Sequence, residues 1–346
     1  MSTSRIKSVS VLALAIFAAA VTATAAPASI PTSMKAMALD QPGAPNVITM
    51  HTLPVPQLGA DEVLIAIHTA GIGVWDADIR KKMTYVKTRY PYILGSDGSG
   101  TIAAVGASVT GFKVGDAVYS YNWDNPKGGF YAEYVAVPAK HVAHVPKGVT
   151  LEQAGALGVS GLTALSGIDE ALHLKTGETI IIHGASGAVG TLAIQLAKLR
   201  GATVLATASG ADGLALVRRL GADAAVDGRK GDIAAAARAF APKGADAVLA
   251  LASGDALERC IAALHAGGRV VFPHGVEPAP KARGTITVTG YDALYDAPAF
   301  ERLNRAIEAR MFEVPIAAEF PLADAAKAHT RLEAGHVLGK IVLRVR

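Results

Sequence analysis

Gly184, Gly187 and Gly190 are spaced three apart and close an apolar β-branched run, Ile180-Ile181-Ile182-His183. Such a turn lets a pyrophosphate reach backbone N–H groups at the start of a helix, where a Cβ would block the approach. The helix end adds about 0.3–1 kcal/mol of attraction for the anion. In a chain with 36 glycines this spacing alone carries little weight, so the flanks decide the reading. Upstream, residues 178–182 read as a buried strand. Downstream, Val189, Leu192, Ala193, Leu196 and Leu199 fall on one helical face, and a second apolar run, 202–208, follows Gly201. Strand, turn, helix and strand within about 30 residues make a βαβ unit. A dinucleotide is the expected ligand, and Ser186, Gly187, Ala188 and Val189 are its expected contacts.

Which dinucleotide is decided where the second strand ends. An acid there binds the ribose hydroxyls of NAD, but this chain reads Thr207-Ala208-Ser209-Gly210, with no acid until Asp212. Ser209 suits a 2′-phosphate, so NADPH is expected and NADH is the alternative; Arg218, Arg219 and Arg229 are the candidate charged partners. His274, followed by Gly275, closes a later strand where the chain should pass the nicotinamide.

Hydride transfer needs the donor and acceptor carbons held about 3–3.5 Å apart and little else. A proton can come from water, or from Asp76, Asp78, Tyr85 or Tyr121. The other histidines show no paired spacing. The single cysteine, Cys260, excludes an internal disulfide and every multi-cysteine zinc site, and its amphipathic surroundings suit a packed thiol.

Around these residues the chain must supply elements to position them. With 346 residues, 51% hydrophobic and 18% charged, it can bury a large core and by length should hold about two domains. A net charge of +4 without a basic–aromatic cluster disfavours nucleic acid as a partner. Residues 1–25 read as a cleaved signal peptide: Arg5 and Lys7 precede an almost uncharged run that ends in Ala23-Thr24-Ala25. The run is short for a membrane span, so none is expected in the mature form. A periplasmic or secreted location follows, or a cytoplasmic one if translation starts at Met34.

From Met34 to Pro146, short glycine-punctuated β runs (63–67, 100–105, 131–137) suggest an antiparallel barrel. A small-residue helix spans about 151–172, and an alternating β/α half follows with six strands at 179–183, 203–208, 224–226, 247–252, 269–272 and 285–289. The tail adds helices near 301–310 and 323–332 and a strand at 341–343. It should return to complete the first domain, since six strands already finish the sheet. The expected division is 34–155, 156–297 and 298–346.

Several motifs, in order, resemble the zinc-independent quinone oxidoreductases (zeta-crystallin-like) of the medium-chain dehydrogenase/reductase superfamily. They are Pro91-Tyr92-Ile93-Leu94-Gly95-Ser96-Asp97-Gly98-Ser99-Gly100, Phe112-Lys113-Val114-Gly115-Asp116, Gly128-Gly129-Phe130-Tyr131-Ala132-Glu133-Tyr134, Gly161-Leu162-Thr163-Ala164, the glycine turn, Leu220-Gly221-Ala222-Asp223, Gly267-Gly268-Arg269 and Gly339-Lys340-Ile341-Val342. The resemblance implies an α/β fold: a GroES-like β-barrel catalytic domain plus a six-stranded doubly wound parallel (Rossmann) sheet. It also implies NADPH as cofactor, with Thr163 and Lys340 among its contacts, a small-molecule quinone or α,β-unsaturated carbonyl as substrate, and a homodimer.

Zinc-dependent alcohol dehydrogenases of the superfamily need two thiolates and an imidazole on the metal. Here those positions read Gly73 or Val74, Ser96 and about Val159, so no zinc is expected. Relatives carry an asparagine and a tyrosine in the segment here written Gly71-Ile72-Gly73-Val74-Trp75-Asp76-Ala77-Asp78. Trp75 is either a replacement aromatic wall or a packed tryptophan. The alternative to an enzyme is a nucleotide-binding protein with little catalysis.

Overall fold

A computed structural model describes Met1 and residues 29–83, 86–87 and 89–346. The expected signal peptide (apart from Met1) and Tyr85 lie outside the described residues. Thr32–Arg346 form one compact unit, and among the described residues no helix is long and apolar enough to cross a membrane.

The first half is β-rich: β1 (Ser33–Leu39), β2 (Ile48–Pro54), β3 (Glu62–Ile72), helix α1 (Val74–Lys82), β4 (Tyr92–Ile93), β5 (Asp97–Val105), β6 (Ala117–Tyr121), β7 (Tyr134–Pro138) and β8 (Val142–His144). β3 is the hub, pairing antiparallel with both β5 and β7. β7 begins at Tyr134 rather than at residue 131. Residues 131–133 turn aside to bond β1, with Met37 N donating to Tyr131 O at 2.8 Å and Glu133 N to Lys35 O at 3.0 Å.

The expected single helix over 151–172 is three pieces: α2 (Leu151–Gly155), α3 (Gly158–Leu165) and a π turn over Ser166–Ala171. Close packing explains the break. A Cβ on Gly155 would lie 2.5 Å from Thr69 Cγ2, and one on Gly158 would lie 2.7 Å from Ser120 O. The chain therefore turns between them and aims the start of α3 at the barrel.

The second half alternates β9 (Thr179–His183), α4 (Ala188–Leu199), β10 (Thr203–Ala208), α5 (Gly210–Arg219), β11 (Ala224–Asp227), α6 (Ile233–Phe240), β12 (Ala245–Ala250), α7 (Asp255–Ile261), β13 (Leu264–Pro273) and β14 (Thr287–Tyr291). These six strands form one parallel sheet in the order β11-β10-β9-β12-β13-β14, the doubly wound arrangement with its crossover beside β9. Its central strands bury both faces: Ile180, Ile181, Ile182, Val248 and Leu249 are fully buried. Relative to the sequence reading, β12 starts and ends two residues earlier and β14 two later, which puts Tyr291 at the sheet's rim.

The tail runs α8 (Ala297–Arg310), β15 (Ile316–Pro321), α9 (Ala325–Glu333) and β16 (Lys340–Arg344). β16 pairs antiparallel with β3, and β15 parallel with β16, so the tail extends the barrel's sheet. Trp75 and Trp123 pack against both the barrel core and the core under the parallel sheet.

Candidate active site

The glycine turn leaves β9 and enters α4. Gly184 takes φ +80°, a conformation that glycine adopts without strain. Its N–H donates to Thr207 Oγ1 at 3.2 Å, and the same hydroxyl lies 2.8 Å from His183 Nδ1. Burial pushes His183 down to about 4, so a neutral ring supports the turn. Gly187 is the N-cap of α4, and no side chain caps the helix. The first amides of α4 therefore keep their donors for an outside partner. A Cβ on Gly187 would find no neighbour nearer than 3.6 Å, whereas one on Gly190 would strike Ala185 Cα at 2.6 Å. Gly187 leaves an open cradle at the helix start; Gly190 lets the helix pack on its own turn.

The returning strand meets this cradle. Gly339 N donates to Ser186 O at 2.9 Å, and Gly187 and Gly339 form an isolated parallel bridge. The next residue, Lys340, is 2% exposed and points its ammonium into the barrel. Nζ lies 3.2 Å from Asp97 Oδ2, 3.5 Å from Ser160 Oγ and 4.8 Å from the centre of the Trp75 ring. Asp97 is fully buried and also accepts from Val159 N, at the start of α3, at 3.0 Å. A buried pair of this kind needs such extra hydrogen bonds to offset desolvation.

Trp75, Lys340, Asp97 and Val159 thus enclose one region, bordered by the three positions that the resemblance assigns to zinc ligands. Those positions hold Gly73 or Val74, Ser96 and a residue near Val159, which bring neither thiolate nor imidazole. Among the described residues no group of three or more His, Cys, Asp or Glu side chains gathers in a form that could hold a metal.

The other predicted residues fall into two groups. Thr163 is buried in α3, and its carbonyl accepts from Tyr291 Oη at 3.1 Å. Tyr121 is buried with its ring 4.6 Å from that of Tyr295, and desolvation raises its phenol, which stays protonated. Asp76 is buried as well, but its carboxylate is taken up by Gly73 N at 2.8 Å and Gly95 N at 3.2 Å. Burial pushes it up to about 7. It caps α1 and holds the 71–76 segment in shape.

Asp78 is exposed on α1, apart from this cluster. His274 lies at the rim, with Nδ1 3.0 Å from Asp292 Oδ1, and Gly275 follows at φ +99°. Ser209 Oγ sits 3.2 Å from His336 Nδ1, a partner that local spacing did not reveal. Of the three candidate arginines, Arg219 is paired with Glu313 and Arg218 donates to Ala225 O, while Arg229 follows β11 with its backbone N–H 2.8 Å from Asp227 Oδ1. Asp97 and His336 are the functional candidates that sequence reasoning missed. Both pair with residues far away in the chain.

The comparisons with known proteins agree with this architecture. Residues 59–147 match the family model described as an alcohol dehydrogenase GroES-like domain, and residues 220–343 the one described as a zinc-binding dehydrogenase. The second span contains none of positions 73, 96 and 159. The chain is similar to the NADPH-dependent alkenal/one oxidoreductase of Arabidopsis thaliana, at 33% identity over 94% of this chain and 83% of that one. It is also similar to the quinone oxidoreductase of Sus scrofa, at 30% identity over 90% of this chain and 97% of that one. Among solved structures, an NAD-dependent alcohol dehydrogenase superposes with a TM-score of 0.84 at 30% identity, covering 90% of this chain and all of the other.

Proposed function

The chain belongs to the quinone-oxidoreductase type of the medium-chain dehydrogenases/reductases, and from that premise we propose that it reduces quinones or α,β-unsaturated carbonyls with NADPH and without a metal. The observation that carries the reading is the Lys340–Asp97 pair under Trp75, with Gly73, Ser96 and Val159 where metal ligands would be needed. Without a Lewis acid to polarise an alcohol or a simple carbonyl, acceptors that take hydride readily are favoured. The relatives named for quinone and alkenal/one reduction support the same substrate class.

The residues present fit a dinucleotide: the open face of Gly187 and the uncapped start of α4 form a cradle that a Cβ would fill. Ser186, Gly187, Ala188 and Val189 would hold the pyrophosphate; Thr163, His274, Gly275 and Lys340 would line the remainder, and Ser209 would take the adenosine end. When bound, NADPH supplies the hydride. Trp75 walls the acceptor and excludes water from its face. Asp97 fixes the Lys340 ammonium, and the protonated Tyr121 phenol offers a donor to an acceptor oxygen.

The test is NADPH oxidation by chelator-treated protein with a panel of quinones and enones, alongside NADH. Turnover that survives zinc removal supports the proposal. Tight NADPH binding without turnover favours the binding-protein alternative, and stoichiometric zinc overturns the metal-free reading. We assign residues 1–25 to a cleaved signal peptide and the mature protein to a homodimer. An intact-mass measurement of the native N-terminus and sedimentation of the purified protein check these two points.

A further inference from the structure

We propose that His336 reads the 2′-phosphate of the cofactor and makes the choice between NADPH and NADH depend on pH. The inference rests on the dinucleotide reading above and adds a residue to it.

In a doubly wound sheet the end of the second strand faces the adenosine ribose, and here that end is Ser209. Ser209 replaces the acid that would hold the ribose hydroxyls of NAD; of the three candidate arginines, Arg218 and Arg219 are engaged elsewhere, and Arg229 stands on the loop after β11, where its backbone N–H bonds Asp227. Instead an imidazole arrives from the loop between α9 and β16. His336 Nδ1 lies 3.2 Å from Ser209 Oγ, and Nε2 lies 2.9 Å from Asp212 Oδ2. The loop is fixed by Arg331, which donates from Nη1 to Gly335 O at 2.8 Å and from Nη2 to His336 O at 3.1 Å. The side chain is 37% exposed, so a ligand can reach it.

The charged groups around this strand end are Asp212, Asp227 with its neighbours Arg229 and Lys230, and Arg331. Asp212, in the first turn of α5, is the nearest. Asp227, at the end of β11, has its carboxylate taken up by the N–H groups of Gly210, Arg229 and Lys230 at 3.1, 2.8 and 3.0 Å. The Arg331 guanidinium is spent on the loop carbonyls.

Two charge states follow. With His336 neutral, its ring can still donate from Nε2 to Asp212, but the carboxylate's charge is uncompensated at the strand end, where it repels a phosphate. With His336 protonated, the imidazolium neutralises Asp212 and offers an N–H to the phosphate oxygens. Histidine is the side chain whose charge ordinarily changes between about pH 5 and 8.

The experiment measures binding of NADP⁺ and NAD⁺ to the full protein by calorimetry at about pH 6 and about pH 8. The preference for NADP⁺ over NAD⁺ is expected to fall about fivefold between the two, the scale of one solvent-exposed charge contact. Ionisation of the phosphate itself acts in the opposite sense, because its dianion grows with pH. His336→Asn should remove the fall, His336→Arg should hold the preference high at both pH values, and Asp212→Asn should raise NADP⁺ affinity at the higher pH. Binding of both nucleotides with the same pH profile of the ratio in wild type and in His336→Asn overturns this proposal alone. Failure of both nucleotides to bind at either pH overturns the cofactor reading and this proposal with it.

Discussion

Gly73 and Trp75 compete for one volume: a Cβ on Gly73 would lie 2.1 Å from Cζ2 of the indole two residues later. The backbone at Gly73 is extended, at φ −117° and ψ 163°, so any residue could adopt it. Glycine is required by the indole. That ring fills the place where the resemblance puts an asparagine side chain, and its Nε1 is buried without a partner among the described residues. Gly73→Asn is therefore expected to destabilise by about 1–3 kcal/mol through overpacking. Adding Trp75→Ala should recover most of that loss. Thermal melts of the two single variants and the double variant measure the coupling; additive losses would refute a shared volume.

Lys340 and Asp97 make a second coupled pair. Both are buried, so removing either partner leaves an uncompensated charge, at a cost of about 3–5 kcal/mol. Lys340→Met and Asp97→Asn should each lower the urea midpoint strongly, while the double variant should lose less than either predicts. If Lys340 also holds the cofactor, the double variant will fold and still bind NADPH weakly, which separates the two roles.

The residues that form the parallel sheet declare themselves because its strands bury both faces and read as unbroken apolar runs between glycine turns. The glycine turn is legible for the same reason, since its signal lies within one βαβ unit. The break in 151–172 is not, because Gly155 and Gly158 answer to Thr69 and Ser120, residues on other strands. The site suffers most. Lys340 reaches Asp97 across 243 positions and Ser209 reaches His336 across 127, separations on which periodicity and motif spacing carry no information. A reading from spacing ranks Asp76 and Asp78 alike. Burial then separates them, one a cap inside α1 and the other on its outer face.

Gly187 and Gly190 look equivalent in the motif but differ in what a side chain would meet. Gly187→Val should leave the melting temperature nearly unchanged and weaken NADPH binding by at least about tenfold, because the new methyls enter the cradle rather than the protein. Gly190→Ala should do the reverse and unsettle the fold, since its Cβ would meet Ala185 backbone atoms at 2.6–2.7 Å. Melting curves and fluorescence titration with NADPH distinguish the two. Equal loss of stability in both would show that Gly187 serves packing.

Stability should respond to pH through two opposed sets of buried groups. Desolvation raises Asp76 from 3.8 to about 7, so between those values the folded chain holds more protons than the unfolded one. Its contribution is present at low pH and is lost as pH rises through that window, at up to about 1.4 kcal/mol per pH unit. His183 and His329 run the other way. Burial lowers them from 6.5 to about 4 and about 3, so the unfolded chain holds the extra protons and their contribution is lost as pH falls below 6.5. Between about pH 4 and 6.5 the terms partly cancel, and the wild-type profile should be shallow. Asp76→Asn keeps an acceptor for Gly73 N but removes one side of the balance. Its unfolding free energy should climb more steeply with pH than wild type across that window, and the gap should widen in the variant's favour up to about pH 7. His329→Gln should flatten or invert the slope. Urea unfolding at half-unit pH steps reads all three profiles; parallel curves would mean that Asp76 is ionised throughout in the folded chain.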